Sequence, residues 1–243
     1  MNKKNRNFDL YGCYVSNKIG YSENYEFCLN YCEINSDIDY ICLFKKEKNK
    51  YKINNVCLSY YVYDDYFDKP DEIYNAIIYK DQKLLAKYKD FLSNFKYVIC
   101  VDYSTYIGLA KYIIIGQIAK ARIVCQWIND NVEGCTCIPN ITFSFEEYDD
   151  ICLEGIIEGS AVAISLEGCL KNKLLRQRLN DIITKVVDDI KPQCILIYNV
   201  AIRTDIYSIF KYAVDKNIKL IIPKTLMSER NRILLEEKNE KKH

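Results

Sequence analysis

The only histidine in the chain is His243. Within this chain that removes Ser-His-Asp arrangements, His-based metal sites and histidine general bases. Catalysis would have to use carboxylates, cysteine, lysine or tyrosine. The acids of interest stand just past short apolar runs. Asp65 follows Val56–Tyr63, Asp102 follows Val98–Val101, Asp130 follows Ala121–Trp127, and Glu167 follows Ala161–Ser165. If those runs are parallel strands, their ends collect on one rim, where α/β proteins build their sites. Asp65, Asp102 and Glu167 are then the candidate catalytic and metal-ligating residues. Mg²⁺ or Mn²⁺, hard cations that prefer oxygen, would suit them, and such an ion can position a phosphodiester and activate water. The plainer reading is that acids after strands cap helices or close turns, and Asp102 could cap a helix beginning near Thr105.

A second set of residues points to nucleic acid. The chain holds 22 tyrosines. Tyr103 and Tyr106 follow an expected strand, and Trp127, the sole tryptophan, ends another. Aromatic side chains beside cations can stack single-stranded bases, and Lys171, Lys173 and Arg176 supply a basic cluster. Core packing and an ordinary solvated helix face explain the same residues. The cysteines are read as mostly structural, because Cys42, Cys57, Cys100, Cys125 and Cys194 lie inside apolar runs, where a reduced thiol acts as a small hydrophobe. Cys28 and Cys32 have the spacing of one helix face without a second ligand pair, Cys135 and Cys137 form a weak Cys-x-Cys, and Cys169 lies at a helix start without an obvious base.

The elements that must position these residues read as an alternation. Short apolar strands are expected near residues 41, 57, 99, 123, 140, 162, 195 and 220. Helices are expected over 71–79, 81–94, 105–119, 146–152, 170–190 and 204–216. The 170–190 stretch is the most regular, with Leu174, Leu175, Leu179, Ile182, Ile183, Val186, Val187 and Ile190 on one stripe. Strands alternating with helices imply parallel pairing and right-handed crossovers. The expected fold is α/β and TIM-barrel-like, irregular, with about eight mostly parallel strands. The crossover at 45–52 is too short for a helix, which makes a doubly wound open sheet the alternative. Residues 1–37 read as an N-terminal extension, 38–227 as a single α/β domain, and 228–243 as a charged tail.

Composition narrows the partners. The net charge is +1, so nothing draws the whole chain to nucleic acid or membrane, and any such binding needs a local patch. No run reaches the length of a membrane span, and the polar N-terminal stretch does not read as a signal peptide. Reduced, buried cysteines are expected in a cytoplasmic protein. No Gly-x-Gly-x-x-Gly or Gly-x-x-x-x-Gly-Lys-Ser/Thr motif occurs, which argues against a nucleotide cofactor.

Five segments, in order, carry a resemblance. They are Tyr60–Asp65 with Phe67, Asp102-Tyr103-Ser104 with Tyr106, Ile138-Pro139-Asn140-Ile141, Ser160–Ser165 with Gly168-Cys169, and Pro192–Tyr198. Across residues 38–223 the sequence resembles a bacterial and phage family known as domain of unknown function 4417. It departs from the family pattern at Val101, Tyr103, Phe143 and Asn199. The resemblance brings no established activity. It implies a context of phages, plasmids and other mobile elements. The expectation that follows is a mobile-element protein that binds or processes nucleic acid in replication or maintenance. The alternatives are a metal-dependent hydrolase acting on a small molecule at a carboxylate-lined barrel mouth, and a non-catalytic host-interaction protein.

Overall fold

The structure, a computed structural model, describes residues 20–52, 54–69, 72–199, 205–226, 228–230 and 232. It begins with two short parallel strands, β1 (Tyr40–Leu43) and β2 (Val56–Ser59), joined by the charged turn. Helices α1 (Ile73–Ile78) and α2 (Gln82–Leu92) lead to β3 (Tyr97–Ile99). The long helix α3 (Lys111–Asn131) precedes β4 (Thr136–Ile138) and β5 (Asn140–Ile141). Next come α4 (Asp149–Leu153), β6 (Val162–Ser165), α5 (Lys173–Lys185), β7 (Cys194–Tyr198), α6 (Ile206–Ile209), α7 (Lys211–Asp215), β8 (Lys219–Ile221) and β9 (Lys224–Thr225). The expected opening of α1 at Pro70 and Asp71 and the tail from residue 233 lie outside the described residues. Among the described residues no helix is long and apolar enough to cross a membrane.

Every strand pairing is parallel, in two sheets of order β4-β3-β2-β1-β9 and β5-β6-β7-β8. The alternation read from the sequence is therefore present, but among the described residues the sheets do not close into one hydrogen-bonded barrel. They are linked twice by the chain itself. Only Pro139 separates β4 from β5, and only Ile222 and Pro223 separate β8 from β9. Proline has no N–H to give a ladder, which suits it to a place where a strand changes partners.

The residues of β1, β2 and β7 are buried on both faces, as parallel sheets covered by helices require. The alternation along β6 and β7 divides the core in two. Ala161, Ala163, Cys194, Leu196 and Tyr198 join the core formed by the five-stranded sheet. Val162, Ile164, Ile195 and Ile197 face the other way, against Leu179, Ile182, Ile183 and Val186 of the α5 region. The stripe expected over 170–190 is thus the packing face of α5 from Leu179 onward, whereas Leu174 is exposed and Leu175 only partly buried. Asn172 caps it by accepting from the Leu175 N–H at 2.8 Å, and a π-helical turn (Val186–Ile190) closes it before Lys191 turns left-handed at φ 46°.

One expected strand is a helix. The run 121–127 belongs to α3, which is buried over Ala121–Ile128. A helix packed on all sides loses the polar stripe that identifies it, and a short apolar run then reads as a strand. Asp130 consequently lies within α3 and does not follow a strand. The segment 20–37 is fastened to the α/β body. Cys32 N–H donates to Ser160 Oγ and Ala161 N–H to Cys32 O. Glu154 Oε1 accepts from Ser22 Oγ and from the Asn24 and Tyr25 N–H groups. Cys28 and Cys32 are buried in this extended segment, where no helix forms.

Candidate functional site

Because all strands run parallel, the chain leaves each sheet at the same rim, and a cleft of about 590 Å³ opens there. Four connections form it. After β2, the chain turns through a 3₁₀ segment, Asp64–Tyr66, which brings Tyr61, Tyr63 and Asp64 to the cleft. After β3, Cys100 N–H still donates to Ile138 O, so the strand direction holds until Asp102 reaches the floor. Ile141 to Phe143 follow β5, and Ser165, Glu167, Gly168 and Cys169 follow β6.

Asp102 is the best-defined group. Its Oδ1 accepts a 2.7 Å hydrogen bond from Asn140 Nδ2, and Asn140 Oδ1 accepts from the Tyr61 hydroxyl at 2.5 Å. Asn140 and Tyr61 are buried, and Asp102 is half-buried at the cleft floor. The three residues form one chain that fixes the carboxyl orientation. Burial pushes the Asp102 carboxyl up to about 7, with Asp64, Cys100 and Glu167 repelling its charge and only the Asn140 bond opposing the shift. Asp64 is committed elsewhere, since its carboxylate accepts from Ser104 Oγ at 3.0 Å and from Ser104 N–H at 3.4 Å, clasping the loop after Asp102. Burial pushes the Cys169 thiol up to about 11, helped by Asp102 and Glu167, so it remains a thiol.

The residues expected to do chemistry divide. Asp102, Glu167, Tyr106 and Lys171 line the cleft together. Asp65 does not, because its exposed side chain lies outside the lining and Asp64, its neighbour, takes the place. The acids do not form a preassembled cation cage. Among the described residues, the one group of ligand atoms lying within 4.8 Å of one another is Cys100, Cys125 and Cys137. Asp102 does not cap the next helix, because α3 begins only at Lys111.

The expected nucleic-acid residues scatter. Tyr103 is buried against Phe67 at 5.2 Å, with Lys120 Nζ 4.8 Å from its ring centre. Trp127 is buried on α3, and Lys89 Nζ lies 5.8 Å from its ring. Lys173 is exposed at the start of α5, and Arg176 Nε donates to Leu170 O at 2.9 Å, bracing the loop before that helix. Arg178 is buried in an ion pair with Asp149. Tyr63 and Tyr106 are well exposed at the cleft rim, with Lys46 Nζ 5.1 Å from the Tyr63 ring centre.

Reasoning from acids after strands pointed to Asp102 and Glu167, which line the cleft, but missed Asn140 and Tyr61 as the supports of Asp102. The available signal was a polar Asn140 beside Pro139 inside an otherwise apolar run. A scan against family models matches residues 24–227 to a family described as Domain of unknown function (DUF4417). No curated protein and no solved structure matches the chain.

Proposed function

The chain belongs to the DUF4417 family, and we propose that it is a hydrolase acting on a small molecule held in the rim cleft, with Asp102 moving the proton. The observation that carries this reading is the state of Asp102. One oxygen is held by Asn140, and the carboxyl titrates near neutrality at the floor of a ligand-sized cleft. Such a group can take a proton from an attacking water and return it to the leaving group in a later step. Glu167 is the second carboxylate and would join Asp102 in holding Mg²⁺ or Mn²⁺ when a cation accompanies the substrate. The cleft lining holds three acids, Asp64, Asp102 and Glu167, against two cations, Lys46 and Lys171. That balance disfavours a long polyanion on the floor. The segments that carry the family resemblance also support the reading, since four of the five supply the cleft wall or the Asn140 beneath it.

We further read the two sheets as halves of one barrel. With β4 and β5 counted as one stave, and β8 and β9 as another, the nine strands form seven staves whose neighbours run in a circle. The shared inner core supports this, as does the cleft at the carboxyl ends, where barrel enzymes work.

Tyr63 and Tyr106 favour a second reading, in which the rim stacks a single-stranded base and the protein processes nucleic acid for a mobile element. One experiment separates the two. Purified protein is offered a panel of small esters, amides and phosphate monoesters, with and without Mn²⁺, beside labelled single-stranded DNA and RNA. Turnover of a small substrate, reduced about 100-fold or more in Asp102→Asn at unchanged circular dichroism, is expected. Equal turnover by Asp102→Asn overturns the role of Asp102. Salt-sensitive oligonucleotide binding that Tyr63→Ala and Tyr106→Ala abolish, with no small-molecule turnover, favours the second reading.

A further inference from the structure

Beneath the cleft, three cysteines from three elements meet in the core. Cys100 immediately follows β3, Cys125 lies in the middle of α3, and Cys137 is in β4. None has measurable exposure, and their sulfur atoms lie within 4.8 Å of one another. Three small apolar residues would fill the same space. What a packing role leaves unexplained is Arg122, one turn before Cys125 on α3. Its guanidinium is 1 % exposed and donates to the carbonyls of Glu154 at 2.9 Å, Cys152 at 2.7 Å and Asn140 at 3.5 Å. Carbonyl dipoles do not neutralise it, and among the described residues no carboxylate pairs with it. An uncompensated buried cation is costly, and natural cores pair it. The ionisable groups that act on Arg122 electrostatically are thiols, those of Cys100, Cys125, Cys152 and Cys137.

We propose that Cys100, Cys125 and Cys137 form a structural site for one thiophilic divalent cation, Zn²⁺ by its chemistry, with Arg122 as the counter-charge that sets its valence. Thiolate sulfurs are the donors such an ion prefers. The charge balance is specific. Three thiolates around one Zn²⁺ carry one net negative charge, matched to the guanidinium of Arg122. Zn²⁺ enters as the three thiol protons leave, which takes the site from neutral to one negative charge. Cu⁺ entering the same three thiolates would leave two negative charges against one guanidinium. Zinc ordinarily takes four ligands, and the Ala121 carbonyl, which already accepts from Cys100 Sγ at 3.1 Å, is the neutral donor at hand. The ion would tie α3 to the ends of β3 and β4, two residues before Asp102. Its role is to hold the cleft floor in place.

The test uses the full chain, purified under reducing conditions, stripped with a chelator and reloaded separately with Zn²⁺, Co²⁺ and Cu⁺. We expect one Zn²⁺ or Co²⁺ per chain and an intense thiolate-to-cobalt charge-transfer absorption. Cys125→Ala should lose both, and Cys135→Ala, a buried thiol outside the cluster, should keep them. If Cys125→Ala fails to fold, X-ray absorption at the zinc edge of the wild-type protein decides, with three sulfur scatterers expected. A folded, metal-free wild-type protein that takes up neither ion overturns the proposal. So does cobalt absorption retained in Cys125→Ala, a zinc shell of nitrogen and oxygen alone, or tight one-to-one Cu⁺ loading where Zn²⁺ fails.

Discussion

The two faces of the four-stranded sheet are packed with different chemistry. The outer layer, against α5, α6 and α7, buries isoleucine, valine and leucine with Phe210 and Ala213, and no fully buried cysteine or tyrosine. The inner core, shared with the five-stranded sheet, buries Cys42, Cys57, Cys100, Cys125 and Cys137 along with Tyr60, Tyr61, Tyr103 and Tyr198. Apolar burial stabilises both, but the fully buried thiols and phenols, which can ligate or hydrogen-bond, lie in the inner one. The outer layer supplies a stiff wall, and the inner core carries the supports of the cleft. A protein that keeps its reactive atoms on one side of a sheet can change them without disturbing the layer that fastens its helices.

Substitutions on the two sides should therefore fail in different ways. The largest effect is expected from Arg122→Met on the inner side. It leaves the carbonyls of Cys152, Glu154 and Asn140 without their donor in a dry core, and stability should fall by about 4 kcal/mol in urea unfolding. A loss under about 1 kcal/mol would mean that the inner core is no more specialised than the outer one. On the outer side, Ile197→Ala should cost about 3 kcal/mol by opening a cavity beneath α5. The carboxyl titration of Asp102, followed by NMR, should not move in that variant. A shift would show that the layers are coupled through the sheet.

The effect that is smallest per step is a slope. The Asp102 carboxyl titrates near 7 when folded, against an ordinary value of 3.8. Between those values the unfolded chain is ionised while the folded protein keeps the proton, so unfolding releases a proton. Stability contributed by Asp102 is thus fully present below about pH 4 and is lost as the pH rises toward 7, at no more than about 1.4 kcal/mol per pH unit. Above 7 the slope vanishes. Urea midpoints measured from pH 4 to 8 should show this decline in the wild-type protein and a flatter profile in Asp102→Asn.

The same contrast explains what the sequence made legible. Along the outer layer, hydrophobic period and structure agree. The stripe from Leu179 to Ile190, the run Cys194–Tyr198 and the run Val162–Ser165 are all found where the pattern puts them. The inner side obscured its own pattern. α3 is buried on all sides through Ala121–Ile128, so its second half has no polar face and reads as a strand. In the cleft, Asp102 and Glu167 were visible as acids at strand ends. The choice between Asp64 and Asp65 depends on a 3₁₀ turn that no periodicity reports. Asn140 was hidden because its importance comes from partners 38 and 79 residues away, Asp102 and Tyr61. The cysteine cluster was invisible for a similar reason, since its members sit on three elements and share no sequence spacing that marks a ligand set.

Trp127 gives the molecule a single optical address. It is the one indole in a chain of 22 tyrosines, and it lies buried on α3, two residues past Cys125. Light absorbed by the phenols drains by energy transfer toward one emitter, so the ultraviolet emission of the whole protein is reported from the inner core. Emission colour will follow the wetting of that core, while far-ultraviolet dichroism averages over both layers. Recorded in the same sample, the two signals tell which side of the sheet loosens first.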